Sequence, residues 1–510
     1  MKISLFLPLL CMGIWMACTS SQTSRMRDEQ YRPQIHFSPE ANWMNDPNGM
    51  VYYEGEYHLF YQYYPDSTVW GPMHWGHAVS TDMLHWEELP IAIYPDSLGW
   101  IFSGSAVIDW NNTTGLGTKE NPPMVAIYTY HNHEKELAGD NDFQYQGISY
   151  SLDKGRTWST YEHNPVLPNP GIRDFRDPKV RWSPEFNKWF MILAVVDHVN
   201  IYSSDNLLSW ELESEFGKTN GAHGGVWECP DFFPMTVPGE DSVKWVMLVS
   251  MNPGAPNGGS GTQYFVGDFD GHQFSPAVTE THWLDYGKDN YAGVTWSDIP
   301  DSDGRRLFIG WMNNWQYATV IPTSTWRSAM TIPRELILTQ SGYVISKPVK
   351  ELLNLRSAEE KLTQKNIDEK IELCKLDDEA TEILLDFSKG ADQNWHLLLE
   401  NKGGDQVLLG FDKSQNQFYI DNTANGWDNE KGEFAIKSVA PLKATGELNL
   451  RIFIDRSSIE VFVNDGEVVM TNQFFPKNPF EILSIIPEAQ GLTLDSGSIF
   501  KLSSVWNTNH

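Results

Sequence analysis

The sequence predicts an all-β protein, a five-bladed β-propeller followed by a C-terminal β-sandwich. From Tyr31 to Gln340, short aromatic or β-branched runs alternate with Gly, Pro, Asn and Asp turns, as in Met50-Val-Tyr-Tyr-Glu-Gly-Glu-Tyr-His-Leu-Phe-Tyr-Gln62. That pattern reads as hairpin after hairpin. A weak repeat runs through the same region: Ser80-Thr-Asp82-Met-Leu-His-Trp86, Ser151-Leu-Asp153-Lys-Gly-Arg-Thr-Trp158, Ser204-Asp205-Asn-Leu-Leu-Ser-Trp210 and a degraded copy at Asp268-Phe-Asp270-Gly-His-Gln-Phe274. Spacings of roughly fifty to seventy residues suit one four-stranded blade per repeat, with room for about five. Past residue 341 the alternating runs Glu382–Phe387, Trp395–Glu400 and Leu448–Asp455, broken by Gly and Asn turns, carry a sandwich signature.

Taken in order, the chain opens with Met1-Lys2 and the apolar run Ile3 to Ala17, too short to span a bilayer and suited to a secretory signal. The junction Ala17-Cys18, followed by the polar stretch Thr19 to Ser24, resembles a bacterial lipoprotein processing site. On that resemblance Cys18 is the lipidated residue, and the protein is expected to be anchored to a bacterial membrane, at the outer-membrane surface or in the periplasm. The boundaries expected are a signal over 1–17, a flexible tether over 18–32, the propeller over 33–340, a linker over 341–370 that is helical in part from Ser357 to Lys370, and the sandwich over 371–510. Only Cys229 and Cys374 then remain beyond the signal, in different regions, so no disulfide framework is indicated.

With 510 residues the chain exceeds one ordinary core, and two domains are expected. The formal charge of −30, from 37 basic and 67 acidic residues, argues against a nucleic-acid partner. Aromatics make up 13% of the chain, with 21 Trp and 20 Tyr, and such flat amphipathic surfaces suit a carbohydrate ligand as well as a β-rich core.

Three short strings, each pairing a carboxylate with a proline, point to chemistry: Trp43-Met-Asn-Asp46-Pro-Asn-Gly49, Arg176-Asp177-Pro178 and Glu228-Cys229-Pro230. Glycosidic cleavage needs one carboxyl to protonate the leaving oxygen and another to attack or screen the charge that builds on the ring. A third can hold sugar hydroxyls. The proline beside each acid restricts the local backbone, which suits a side chain that must be held still. Inner strands of separate blades could bring the three acids to one end of a propeller channel.

Together with Phe60-Tyr-Gln62, Trp75-Gly-His-Ala-Val-Ser80, Phe102-Ser103-Gly-Ser-Ala106, Gly310-Trp311-Met312, Pro333-Arg334-Glu335-Leu336 and Phe453-Ile-Asp455-Arg-Ser-Ser458-Ile-Glu-Val-Phe462, these strings resemble glycoside hydrolase family 32, the invertases, inulinases and levanases. The similarity runs from about Gln34 to the C-terminus. It implies the propeller-plus-sandwich fold and retaining hydrolysis of β-fructosyl bonds in fructans, with sucrose as a further substrate. It also implies roles. Asp46 is the nucleophile, Glu228 the general acid and base, and Asp177 the stabiliser that grips ring hydroxyls, oriented by Arg176. Glu228 is expected to have a raised pKa through burial and its acidic neighbours. Retention places Asp46 and Glu228 about 5 to 5.5 Å apart.

The implied substrate shell is Asn45, Gln62, Trp70, Phe102 and Ser103, with Trp311 as a further wall. Cys229 reads as a small packing residue. His36, His74 and His77 lack a compact ligand motif, and His131-Asn-His133-Glu reads as a solvated loop, so neither metal nor cofactor is expected. One departure stands out: where relatives carry Asp-Phe-Tyr-Ala, this chain has Asp289-Asn-Tyr291-Ala, which puts neighbouring subsites in doubt. An inactive fructan-binding lipoprotein and a structural propeller scaffold are the competing classes. The first would usually lack one of the acids, and the second would need none. Exo and endo action are not separable at this level, although a surface anchor favours endo cleavage before import.

Overall fold

The computed structural model describes residues 27–443 and 446–506. Five mainly antiparallel sheets follow one another between Asn42 and Pro348. Blade I runs outward from Asn42–Tyr53 through Glu56–Tyr64 and His74–Ser80 to Glu87–Ile93, and blade II from Trp100–Ile108 through Met124–His131 and Gln144–Ser151 to Ser159–Thr160. Blade III begins with Phe175–Ser183, blade IV with Val226–Thr236 and blade V with Tyr291–Thr295. These five innermost strands pack side by side in a ring, the last returning to the first. Two short contacts seal that ring: Trp326–Arg327 pairs in parallel with Asn42 and Trp43, and the Ser297 amide donates to the Met50 carbonyl at 2.8 Å.

The repeat seen in the sequence is the turn between the third and outer strands of a blade. Asp82 accepts from the Leu84 and His85 amides at 2.9 Å each, Asp153 accepts from Thr157 at 2.8 Å, and Asn206 accepts from Leu208 at 2.9 Å. In each turn the Trp indole folds back onto a backbone carbonyl: Trp86 onto Met83, Trp158 onto Gly155, Trp210 onto Leu207. Asx turns of this kind satisfy backbone donors that the ladder leaves over.

Every innermost strand carries an irregularity at the same level of the ring. The pairing shifts between Met44 and Pro47, between Ile101 and Gly104, opposite Arg176 to Lys179, between Glu228 and Asp231, and between Tyr291 and Val294. Bulges re-aim side chains and free the ladder from needing every N–H, which is why Pro47, Pro178 and Pro230 are accommodated inside strands. Asp177, Cys229 and Ala292 take left-handed backbone conformations there, with φ of 65°, 42° and 53°. Strain of this kind is held only where surroundings fix it.

The C-terminal unit is two six-stranded sheets around a core that includes Trp395, Phe411, Ile452 and Ile485. A second apolar cluster joins it to the propeller, with Phe453, Phe462, Val469 and Phe500 packed on Met44, Leu59, Trp296 and Leu307. An ionic network lies beside that cluster. His36 Nδ1 contacts Asp455 at 2.7 Å and its Nε2 contacts Glu460 at 3.0 Å. Arg334 bridges Asp285 at 2.9 Å and Glu460, and Thr471 closes onto Asp285.

Three boundary expectations change. Arg27 to Arg32 are not a free tether: Arg32 is fully buried, donating to the Pro39 carbonyl at 2.6 Å, and Arg27 pairs with Glu88 and lies 4.0 Å over the Trp506 ring. Blade V extends to Val344–Pro348, past the expected limit at residue 340. The charged run after Ser357 is strand, not helix, because Arg356–Leu362 pairs with Ser496–Leu502 as an edge whose charges face solvent. Cys18 and the signal lie outside the described residues.

Candidate active site

At the end of the channel where the inner strands begin, side chains from all five blades surround a cavity of about 270 Å³. Asp46, Asp177 and Glu228 reach it together with Asn45, Gln62, Trp70, Phe102, Ser103 and Arg176. Trp311 does not. It sits on the second strand of blade V, fully buried behind Trp43 and Trp315, and Trp315 on the following loop provides the wall instead. Trp75 is core, its indole donating to the Phe102 carbonyl at 2.9 Å, whereas Trp70 is partly open and packs edge-on against Phe102.

The bulges aim each acid. Asn45 and Asp46 occupy the first; the Trp43 indole fixes the Asn45 carbonyl at 2.7 Å, and the Asn45 amide donates to Asp46 Oδ1 at 3.0 Å. From the blade II bulge, the Ser103 hydroxyl donates to Asp46 Oδ2 at 2.6 Å. Cys229 sits between two acids. Its thiol lies 3.4 Å from Asp46 Oδ2 and 3.6 Å from Asp177 Oδ2, and its amide donates to Asp177 at 3.0 Å. Burial pushes the thiol well above its ordinary value, as do the carboxylates beside it, so it stays a neutral donor and spacer. Glu228 accepts from Arg176 Nε and Nη2 at 3.2 and 3.0 Å, and from the Tyr291 hydroxyl on its other oxygen. Asp174 holds the guanidinium from behind at 2.6 Å.

The three acids Asp46, Asp177 and Glu228 therefore share one pocket, with Arg176 between two of them. Burial raises the pKa of Asp46, and the Glu228 charge adds to this; the donors Ser103, Asn45 and Cys229 pull the other way. Asp177 is raised by burial and by Glu228 and Asp46, against the pull of Arg176.

Sequence reasoning missed Tyr291, Trp315 and the wall formed by His131, Glu136, Phe143, Gln144 and Arg173. His131-Asn-His133-Glu is not a solvated loop. His131 is buried on the pocket wall, and the short helix His133–Ala138, capped by Asn132, forms the rim. His131, His133 and Glu136 offer ligand atoms within 4.8 Å of one another. The Gln144 carbonyl oxygen is taken by the Phe175 amide at 2.9 Å, so its NH₂ donates to His131 Nδ1 at 3.3 Å. The imidazole proton then sits on Nε2, 3.0 Å from Glu136. The Asp289-Asn-Tyr291 departure also resolves: Asn290 faces away from the pocket and donates to Asp285 in the interdomain network at 3.1 Å.

Residues 36–348 match the model for the glycosyl hydrolases family 32 N-terminal domain, and residues 351–505 match its C-terminal counterpart. The chain belongs to glycosyl hydrolase family 32. Within the family, a levanase of Bacillus subtilis (strain 168) is 50% identical over 493 residues, covering 94% of this chain and 72% of that protein. An extracellular exo-inulinase of Aspergillus awamori is 40% identical over 520 residues, covering 94% and 96%. The crystal structure of the Aspergillus awamori exo-inulinase superposes with a TM-score of 0.85 at 37% identity, over 94% of this chain and all of that one. A β-fructofuranosidase from Schwanniomyces occidentalis, solved with fructosyl-erythritol, superposes at 0.83 with 34% identity over 94% and 98%.

Proposed function

We propose that the chain hydrolyses β-fructofuranosyl linkages of fructans by double displacement, with retention at the anomeric carbon. The observation that carries this reading is the convergence of Asp46, Asp177 and Glu228 from three blades on one pocket. Asp46, held by three donors that favour its charged form, attacks the anomeric carbon while the glycosidic C–O bond breaks. Glu228 gives its proton to the leaving oxygen, then takes one from the water that displaces Asp46. Its side chain is 21% exposed against 5% for Asp177, which suits a group that exchanges protons with solvent. Asp177 then faces the ring hydroxyls and offsets the positive charge of the transition state. Levanase and exo-inulinase relatives support fructan as the substrate class.

All five blades contribute to the pocket wall, and below it Asn48, Pro178 and Pro230 narrow the channel to a small void. A pocket closed in this way receives a chain end, so we read the action as exo. Chromatography of products from levan, inulin and sucrose tests it: fructose should appear alone from the first time points, and early oligosaccharides would refute it. The anomer released first, followed by NMR, tests retention.

The anchor stays part of this proposal. Acylation of Cys18, supported by its sequence context, would hold the enzyme at the membrane through several chains. Fractionation of wild type against Cys18→Ser behind a conventional signal tests it; a wild type wholly soluble with another N-terminus removes it.

A further inference from the structure

A second cavity, of about 320 Å³, opens where the inner strands end, beyond the narrow void beneath the active-site pocket. Lys179 and Arg181, two residues apart on one face of the blade III strand, line it with Arg306 of blade V. Lys179 is accounted for, with Asp231 at 3.3 Å and the Thr295 carbonyl. The two arginines are not. Arg181 Nε and Nη1 are buried without a hydrogen-bond partner, and the partly exposed Arg306 forms no side-chain hydrogen bond or ion pair among the described residues. Arg181 lies 5.3 Å from the Trp245 centroid and Arg306 4.7 Å from that of Phe233, and Asp231 attracts both from beyond ion-pair distance.

Two of the three wall carboxylates are already committed, and the third, Asp301, is exposed to solvent. Asp231 takes the Thr295 amide and hydroxyl at 2.6 and 2.8 Å and the Phe232 amide at 2.8 Å. Asp298 takes the Trp110 indole at 2.8 Å and the Ile108 amide at 3.1 Å. Burial holds Arg181 down to about 9, and the like charge of Arg306 adds to this. A buried donor left unmet is costly, and guanidinium groups from two blades lining one cavity can supply the paired N–H donors that an oxyanion accepts.

We propose that this cavity binds a small oxyanion, phosphate or carboxylate, between Arg181 and Arg306, bridging blades III and V. The net charge of −30 does not forbid this, because at physiological salt the field of distant carboxylates is screened beyond about 8 Å. Arg181 is four residues along the strand from Asp177, about 13 Å at strand rise, so the ligand would brace the ring without touching substrate.

The test is calorimetric titration of the full chain with inorganic phosphate, and separately with acetate, at ionic strength fixed by sodium chloride. Saturable binding is expected. Arg181→Met and Arg306→Met should each weaken it by about tenfold or more, with kcat on fructan unchanged. Should Arg181→Met fail to fold, Arg181→Lys keeps the charge but loses the fork, and binding should still weaken several-fold. Phosphate stronger than acetate identifies a tetrahedral anion, and the reverse a carboxylate. Binding unchanged in these variants, binding displaced by fructose and hence located at Arg176, or no saturation at fixed ionic strength would each overturn the proposal.

Discussion

The active-site pocket buries Asp46 and Asp177, the propeller–sandwich interface buries Asp455 and Glu460, and the two places treat them oppositely. At the pocket, Asp177 shares Arg176 with Glu228, and burial with repulsion from neighbouring acids raises both Asp46 and Asp177 above the ordinary carboxylate range. At the interface, burial would also raise Asp455 and Glu460. Hydrogen bonds and charge from His36 and Arg334, and amides of the Gln34–Ile35 and Ile332 backbone, outweigh it and hold both below that range. His36, lowered by burial but raised more by those two acids, reaches about 9. Depth alone therefore does not set protonation; the balance of cations and acids facing each carboxylate does. The interface spends its donors on holding two domains together, and the pocket leaves charge uncompensated for a transition state to use.

The largest expected effect breaks the pocket. Asp46→Ala and Glu228→Ala should each lower kcat on fructan by about 10³-fold or more, with circular dichroism and melting temperature close to wild type. Turnover near wild type in Asp46→Ala would remove the assignment.

Breaking the interface should do the reverse. Arg334→Met strands Asp285 and Glu460 in the interior, and loss of one partner of a buried ion pair costs about 3–5 kcal/mol. Denaturant unfolding should show that loss while the folded fraction keeps its KM.

Asp177→Asn sharpens the contrast within one residue. It removes a repelled charge yet keeps an acceptor for the Cys229 amide, so stability near pH 8 should rise by about 0.5–2 kcal/mol. Activity should nonetheless fall by at least ~10²-fold. A destabilised variant would show that the pocket charges are compensated after all.

Smaller still is the pH response. The folded-state value of His36, about 9, exceeds its unfolded value of 6.5, so its contribution is complete below about pH 6.5 and is lost as pH climbs through 9. His36→Gln should melt below wild type at pH 6 and lose less between pH 6.5 and 9. Parallel melting curves across that window would remove His36 as the cause. The smallest effect is none: dialysis against a chelator should leave turnover unchanged, and rescue of lost activity by one divalent ion would reopen the His131, His133 and Glu136 site.

Much of this was legible because short strings carried it. The Ser-x-Asp repeats mark turns whose side-chain hydrogen bonds need those residue types, so blade count followed from spacing. Asp46, Asp177 and Glu228 were legible because each sits at a bulge that tolerates proline. Trp311 misled, since a tryptophan in a motif can serve the pocket from behind, and the outward step from Trp311 to Trp315 depends on loop geometry. His131, Glu136 and Gln144 left no local signal; they become neighbours of Arg176 only when blades II and III meet. The strings Pro333-Arg334-Glu335 and Phe453 to Phe462 were visible, but their reason was not: they are two halves of one interdomain lock.

The ring seal has a consequence for biogenesis. The strand that bears Asp46 has an open edge until Trp326 and Arg327 are made, and the segment leading into it, Gln34 and Ile35, is held by Asp455. Contacts this distant in the chain are slow to form, and an unpaired edge invites association with other chains. On the ribosome, the first blade to emerge is thus among the last to be finished, and an acid near the N-terminus gains its working geometry only after almost the whole polypeptide has been synthesised.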